Sequence, residues 1–252
     1  MPIRKIERGE ITIHLNALGL RQGMKVVVHS SLRAFGSVKG RTTTFIEELR
    51  QALGDEGTLA VPTFTFKLTP EDVFDPATTP SMTGALAEAV RRLPDARRSA
   101  CPIHSYAAIG RDAALVEQAR ADRSFGAGSC FDLFLREGFH WLQLGCGHFG
   151  HACTLVHHTE MTFGVPYREW VDVPRRVRRP DGRIEHLTVR YFARRAGVEP
   201  KPIFAPVRDR MIAEGSMIAV PAPAGMSCLA PAEKIHTTGL TILQRDPWGL
   251  VH

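Results

Sequence analysis

The stretch from Lys25 to Thr63 constrains the fold more than any other part of the chain. Lys25 to His29 reads KVVVH, a β-branched run after a glycine turn at Gly23, and predicts a short buried strand. Thr42 to Leu53 predicts a helix capped at a threonine. Phe45, Ile46, Leu49, Ala52 and Leu53 share one face of it, and Gly54 stops it. Gly57 to Thr63 (GTLAVPT) predicts the next strand. Strand, helix and strand in immediate succession suggest a parallel pair joined by a crossover, the unit of α/β folds.

The rest of the chain continues that alternation. The polar segment FKLTPEDVFDPATTP is longer than a simple connection needs and predicts a loop of the kind that covers a site. Helices are expected over Gly84 to Leu93, with Ser81 or Thr83 as cap, and over Cys130 to Glu137, Cys153 to Phe163, Pro206 to Gly215 and Pro231 to Arg245. Strands are expected over His104 to Gly110, Phe139 to Leu144 and Met217 to Val220. Val171 to Phe192 reads as a β-hairpin around the tight PDG turn. The sum is one α/β domain over residues 1–252, a mixed sheet layered by helices with a β-hairpin insertion.

Composition narrows the class. Hydrophobic residues are 44% and charged residues 23% of the 252, the proportions of a globular chain. No secretory signal and no run approaching the roughly 18 to 20 apolar residues of a membrane span is present, so a cytoplasmic protein is expected. Cys101, Cys130, Cys146, Cys153 and Cys228 form an odd set without a CxxC pair, which fits a reducing compartment. The net charge of +6 admits an anionic partner such as a nucleotide phosphate. Arg175, Arg176, Arg178 and Arg179 also read as a solvated basic hairpin. No nucleic-acid-binding pattern accompanies the charge.

Four segments together resemble the aminoglycoside 3-N-acetyltransferase (antibiotic N-acetyltransferase) family. They are VVHSSLRAFG, GTLAVPTFTF, FDPATTPSMTGALAEAVRRLPDARRSACPIHSYAAIG, and FGAGSCFDLFLREG followed by GCGHFGHACTLVHHTE. They cover much of Val26 to Arg168 in the family's order, and the likeness fades after Tyr167. The resemblance implies a three-layer α/β/α fold with a mixed central sheet, distinct from the GNAT acetyltransferases. It implies acetyl-CoA as cosubstrate, a small-molecule amine acceptor of the aminoglycoside class, and no metal. A homo-oligomer is compatible with it.

An amine attacks a thioester only when neutral, so the site needs a base and donors for the developing oxyanion. His157 and Glu160 stand three apart on a predicted helix and share a face. On spacing alone they could be an ordinary surface pair. The family's HxxE pattern implies His157 as general base, with Glu160 orienting it or holding the cationic amine, and leaves His158 a structural role. By resemblance Ser30, Ser31, Thr63, Ser99 and His104 line the CoA channel, with Phe125 and Gly126 nearby. The serines could equally satisfy turn backbone. Arg33, Arg97 and Arg98 are candidates for the CoA phosphates.

The sequence also departs from the family. His151 stands where an aspartate is usual, Cys101 where histidine is favoured, and the tail HTTGLTILQRDPWGLVH is unfamiliar. The acceptor is therefore expected to be less cationic than most, unless Glu71, Asp72 and Asp75 supply local acid; a kasugamycin-like aminoglycoside fits. Acetylation of a biosynthetic amine is the alternative. A zinc hydrolase using Cys146, His148, His151, Cys153 and His157 is a further one, although the spacing matches no common zinc pattern and the glycines fit a sharp turn as well.

Overall fold

The computed structural model describes residues 5–147, 153–198 and 201–252. In chain order the elements begin β1 (Lys5–Ile6), α1 (Arg8–Ala17), β2 (Lys25–Ser30), β3 (Ser37–Val38), α2 (Thr42–Leu53), β4 (Thr58–Pro62), β5 (Val73–Phe74), α3 (Ala85–Arg91), β6 (Arg97–Arg98) and β7 (Tyr106–Gly110). There follow α4 (Cys130–Arg136), β8 (His140–Leu144), α5 (Leu155–Phe163), β9 (Arg168–Arg178), β10 (Ile184–Arg194), α6 (Ala205–Ala213), β11 (Ile218–Ala222), β12 (Gly225–Pro231) and α7 (Ala232–Arg245).

Seven strands form the main sheet in the order β11-β12-β8-β2-β4-β7-β6. β2 lies parallel to both β4 and β8, and the outer pairings are antiparallel, so the sheet is mixed. The β-branched run of β2 is buried on both faces, as a central parallel strand must be. Val26 and Val28 pack with Ile11 of α1, Leu49 of α2 and Val90 of α3. Val27 points the other way, into the cluster that holds Phe131 of α4, Leu155 of α5, Val207 of α6 and Ile235 of α7. Helices thus cover both faces, giving three α/β/α layers.

β9 and β10 pair over their whole length as a long hairpin, and β5 adds to it in parallel through Val73 opposite Arg176 and Phe74 opposite Val177. The polar insertion is therefore stitched to the hairpin. Buried Arg98 fixes its base: Nη2 donates to Thr63 O at 2.7 Å and Nη1 to Thr79 O at 2.6 Å, with Phe74 under the guanidinium at 4.8 Å.

Several expectations change in detail. No threonine caps α2: its N-cap is Arg41 at φ 52°, and the Thr44 hydroxyl donates instead to Lys39 O at 2.6 Å. Neither Ser81 nor Thr83 caps α3, which starts after Gly84; their hydroxyls meet each other at 2.8 Å. The hairpin extends past both expected ends, and α1 and β12 were not foreseen.

Candidate active site

Ligand sites in open α/β sheets lie beyond the carboxyl ends of parallel strands. Here His29, Ser30 and Ser31 close β2, and Pro62 and Phe64 follow β4. They line a cavity of about 730 Å³ with Phe66, Thr83, His104, Cys146, Thr154, His157, Arg168, Tyr191 and Arg194. Gly145 lets β8 end there. It sits at φ 73°, and a Cβ on it would come within 2.7 Å of Ser31 O. Ser31 N–H in turn donates to Leu144 O at 2.9 Å. That backbone donor is therefore spent, but the hydroxyls of Ser30, Ser31 and Thr154 keep no protein partner among the described residues and can serve a ligand.

α5 carries the reactive pair. Gly164 ends it in the left-handed conformation, at φ 81°, its N–H returning to Glu160 O. The i,i+3 spacing brings His157 Nδ1 to 2.7 Å from Glu160 Oε2. Glu160 is fully buried, and Tyr167 donates to its Oε1 at 3.0 Å. Burial alone would raise its carboxyl, but His157, Arg168 and Tyr167 outweigh that and hold it below the ordinary carboxylate range. With the Glu160 carboxylate as acceptor at 2.7 Å, Nδ1 of His157 is the donor, which leaves Nε2 as the ring nitrogen without a hydrogen-bond partner among the described residues.

Arg168 completes the cluster and was not anticipated from sequence. Its side chain is 4% exposed, with Nε 2.7 Å from Glu160 Oε2, Nη2 3.0 Å from His157 Nδ1, and Nη1 donating to Phe192 O at 3.2 Å. The Nε–H is poorly aligned with the carboxylate, so this is an ion pair more than a hydrogen bond. With Glu160 supplying the acceptor at Nδ1, the nearby Nη2 is a close contact rather than a second donor to that nitrogen.

Of the other expected residues, Ser30, Ser31 and His104 join His157 around the cavity, whereas Thr63, Ser99, Phe125 and Gly126 stand behind its wall. Thr63 Oγ1 pairs with Ser105 Oγ at 3.0 Å and accepts from Arg98 Nε. Ser99 Oγ accepts from Tyr106 N–H at 2.9 Å. Phe125 stacks on Phe131 at 5.0 Å, and Gly126 N–H points to His158 Nδ1 at 3.4 Å. Burial pushes His158 down to about 4, and His29 and His104 to about 3. His104 Nδ1 meets Ser124 Oγ at 2.5 Å, and His29 stacks on Trp141 at 4.9 Å.

Arg33 and Arg41 line a second groove of about 510 Å³ beside Leu32, next to the serine wall. Arg98 is committed under the insertion, and Arg97 is exposed near Glu117 at 3.9 Å. Desolvation pushes the thiol of Cys146 up to about 12 and that of Cys153 higher. His148 and His151 lie outside the described residues, and no group of three or more His, Cys, Asp or Glu among the described residues could hold a metal.

A histidine at a cavity wall with one ring nitrogen held by a buried carboxylate is an arrangement able to take a proton from a bound nucleophile. The family model for aminoglycoside 3-N-acetyltransferases matches residues 27–217, and the chain belongs to that family; it is an N-acetyltransferase. It is 33% identical over 193 residues to aminoglycoside N(3)-acetyltransferase III of Serratia marcescens, covering 69% of this chain and 71% of that protein. It is 34% identical over 187 residues to aminoglycoside N(3)-acetyltransferase VII of Streptomyces paromomycinus, covering 66% and 64%. Thus the matched stretch spans about two thirds of these curated relatives. Among solved structures, AAC-IIIb with CoASH superposes with a TM-score of 0.82 at 23% identity, covering 96% of this chain and 97% of that one. A variant of AAC(3)-IVa in complex with a gentamicin gives 0.80 at 27%, covering 100% and 93%.

Proposed function

We propose that this chain transfers the acetyl group of acetyl-CoA to an amino group of an aminoglycoside and thereby confers resistance, acting in the cytoplasm as a single catalytic domain. The observation that carries this is the open Nε2 of His157, backed by Glu160 at 2.7 Å and facing a cavity large enough for two reacting groups. Family membership and the CoASH complex of a structural relative support acetyl-CoA as the donor.

In this reading the acceptor amine sheds its proton to His157 Nε2 as its nitrogen attacks the thioester carbonyl. Glu160 fixes the ring and offsets the charge that forms on it. The hydroxyls of Ser30, Ser31 and Thr154 are free donors within the cavity, placed at the end of β2 and the start of α5, for the carbonyl oxygen as it becomes anionic. Collapse expels the CoA thiolate, which takes that proton from His157 Nε2 as the acetylated amine departs. From Ser31 the cosubstrate would run over Leu32, leaving its phosphates to Arg33 and Arg41. His104 would bound the thioester end. Thr63, Ser99, Phe125 and Gly126 would support that wall from behind.

The finer reading concerns the acceptor. No Asp or Glu lines the cavity among the described residues, which favours an aminoglycoside with few ammonium groups, such as a kasugamycin-like compound, over a polycationic drug. The same observation favours the second reading, in which the acceptor is a biosynthetic amine. Thiol release from acetyl-CoA across a panel of amines tests both. Release with an amino sugar supports transfer, and absence of release with every amine, together with no thermal shift by millimolar acetyl-CoA, contradicts it.

A further inference from the structure

The cavity contains two guanidinium groups and no carboxylate among its described lining residues. Arg168 is already committed to Glu160 and Phe192 O. Arg194 is its cross-strand partner on β10, is exposed at the cavity, and has no ion-pair or hydrogen-bond partner among the described residues. We propose that Arg194 reads an anionic group, a carboxylate or phosphate, carried by the acceptor close to the amine that is acetylated. This rests on the acetyl-transfer reading and adds to it the class of acceptor.

Glu71, Asp72, Asp75 and Glu169 all lie outside the cavity lining, and two of them are ion-paired. Asp75 pairs with Arg178 at 3.3 Å, and Glu169 faces Arg195 at 3.8 Å. Asp72 accepts from Thr69 N–H at 2.7 Å. An ammonium entering beside Arg194 would lose water without gaining a counter-charge, and like charges would repel it. A carboxylate in the same place gains a forked partner. Phe64, Phe66, His104 and Tyr191 offer ring faces and edges to the body of the acceptor, with Phe66 half exposed at 50%.

CoA is the other source of such an anion, since its phosphates could reach Arg194 instead of Arg33 and Arg41. Acceptor and cosubstrate dependence separate the two. The probes are 2-amino-2-deoxyglucose, its 6-carboxylate analogue 2-amino-2-deoxyglucuronate, and gentamicin, each at varied concentration with acetyl-CoA under thiol-release assay. The carboxylate member is expected to exceed the sugar lacking the carboxylate in kcat/KM by about fivefold or more, with gentamicin lowest. Arg194→Glu should reverse that order and leave the acetyl-CoA KM unchanged, whereas Arg33→Glu should raise the acetyl-CoA KM and leave the order intact. Since Arg194 is exposed, Arg194→Glu should retain the wild-type melting temperature. A wild-type preference for gentamicin or for 2-amino-2-deoxyglucose overturns this inference while transfer itself stands. So does an unchanged order in Arg194→Glu, or a shift in its acetyl-CoA KM. Release with none of the three overturns the inference, and the transfer reading falls with it only if the wider amine panel also gives no release and acetyl-CoA no thermal shift.

Discussion

Glu160→Gln isolates the charge at the centre of the site. The carboxylate is fully buried between His157 Nδ1, Arg168 Nε and the Tyr167 hydroxyl, and Arg168 is 4% exposed. Gln is nearly isosteric, so the change leaves the guanidinium buried without its counter-ion. Breaking one side of such a pair costs about 3 to 5 kcal/mol, a large share of the roughly 5 to 15 kcal/mol that holds a domain folded. At about 2 to 4 °C per kcal/mol in a chain of this size, the melting temperature should fall by about 6 to 20 °C. Glu160→Gln/Arg168→Met removes both charges and should regain most of that loss, because an apolar side chain in place of a buried pair is nearly neutral. Turnover should not return with it, since His157 would still lack the carboxylate that fixes its ring. Thermal unfolding and thiol release on the wild type, both single variants and the double variant close the cycle. A Glu160→Gln protein that melts within about 2 °C of wild type, or a double variant with restored turnover, would show that the Glu160 charge lacks the stabilising role in the first case and the catalytic one in the second.

Acid should destabilise the protein well before its carboxylates titrate. His29, His104 and His158 are held neutral by burial, at about 3, 3 and 4, while in the unfolded chain they protonate near 6.5. The unfolded state therefore binds more protons below 6.5, and each histidine contributes a loss of about 1.4 kcal/mol per pH unit as pH falls from there toward its folded value. Glu160 acts in the same direction below its ordinary value of 4.5. Melting temperatures that do not fall between pH 7 and pH 5 would contradict this assignment. Arg98→Met should release the insertion that carries Phe66 and Thr83 to the cavity, since Thr63 O, Pro76 O and Thr79 O lose their shared donor. A loss of about 2 to 4 kcal/mol in stability and a raised KM are expected; unchanged proteolysis of the insertion relative to wild type would argue against it.

Much of the layered fold was legible because β2, α2 and β4 carry unambiguous periodicity, and α2 runs over the expected Thr42–Leu53. β12 was not, since GMSCLAP has few β-branched or aromatic residues and is defined by its pairing with β8 and β11. His157 and Glu160 were visible through their helical spacing and the family's pattern. Arg168 was hidden for a physical reason: along β9 it shares its phase with exposed Trp170, Asp172 and Pro174, so alternation assigns it to solvent. Only the approach of α5 buries it. Thr63 and Ser99 stood at plausible strand ends, yet hydrogen bonding to Arg98, Ser105 and Tyr106 keeps their side chains out of the cavity. The acids of the insertion looked available in sequence, and the contact with the hairpin's arginines, a tertiary event, commits Asp75 to Arg178.

In the proposed mechanism His157 takes the proton from the attacking amine and does not hold the cosubstrate. The direct measurement is kcat for thiol release in wild type and His157→Ala, paired with calorimetric acetyl-CoA affinity in both. Loss of a general base predicts a fall in kcat of about 10² to 10⁴ with acetyl-CoA affinity within about twofold of wild type. A folded His157→Ala protein with near-wild-type kcat would move the proton transfer to another group, and one whose acetyl-CoA affinity collapses in step with its turnover would make His157 a cosubstrate ligand.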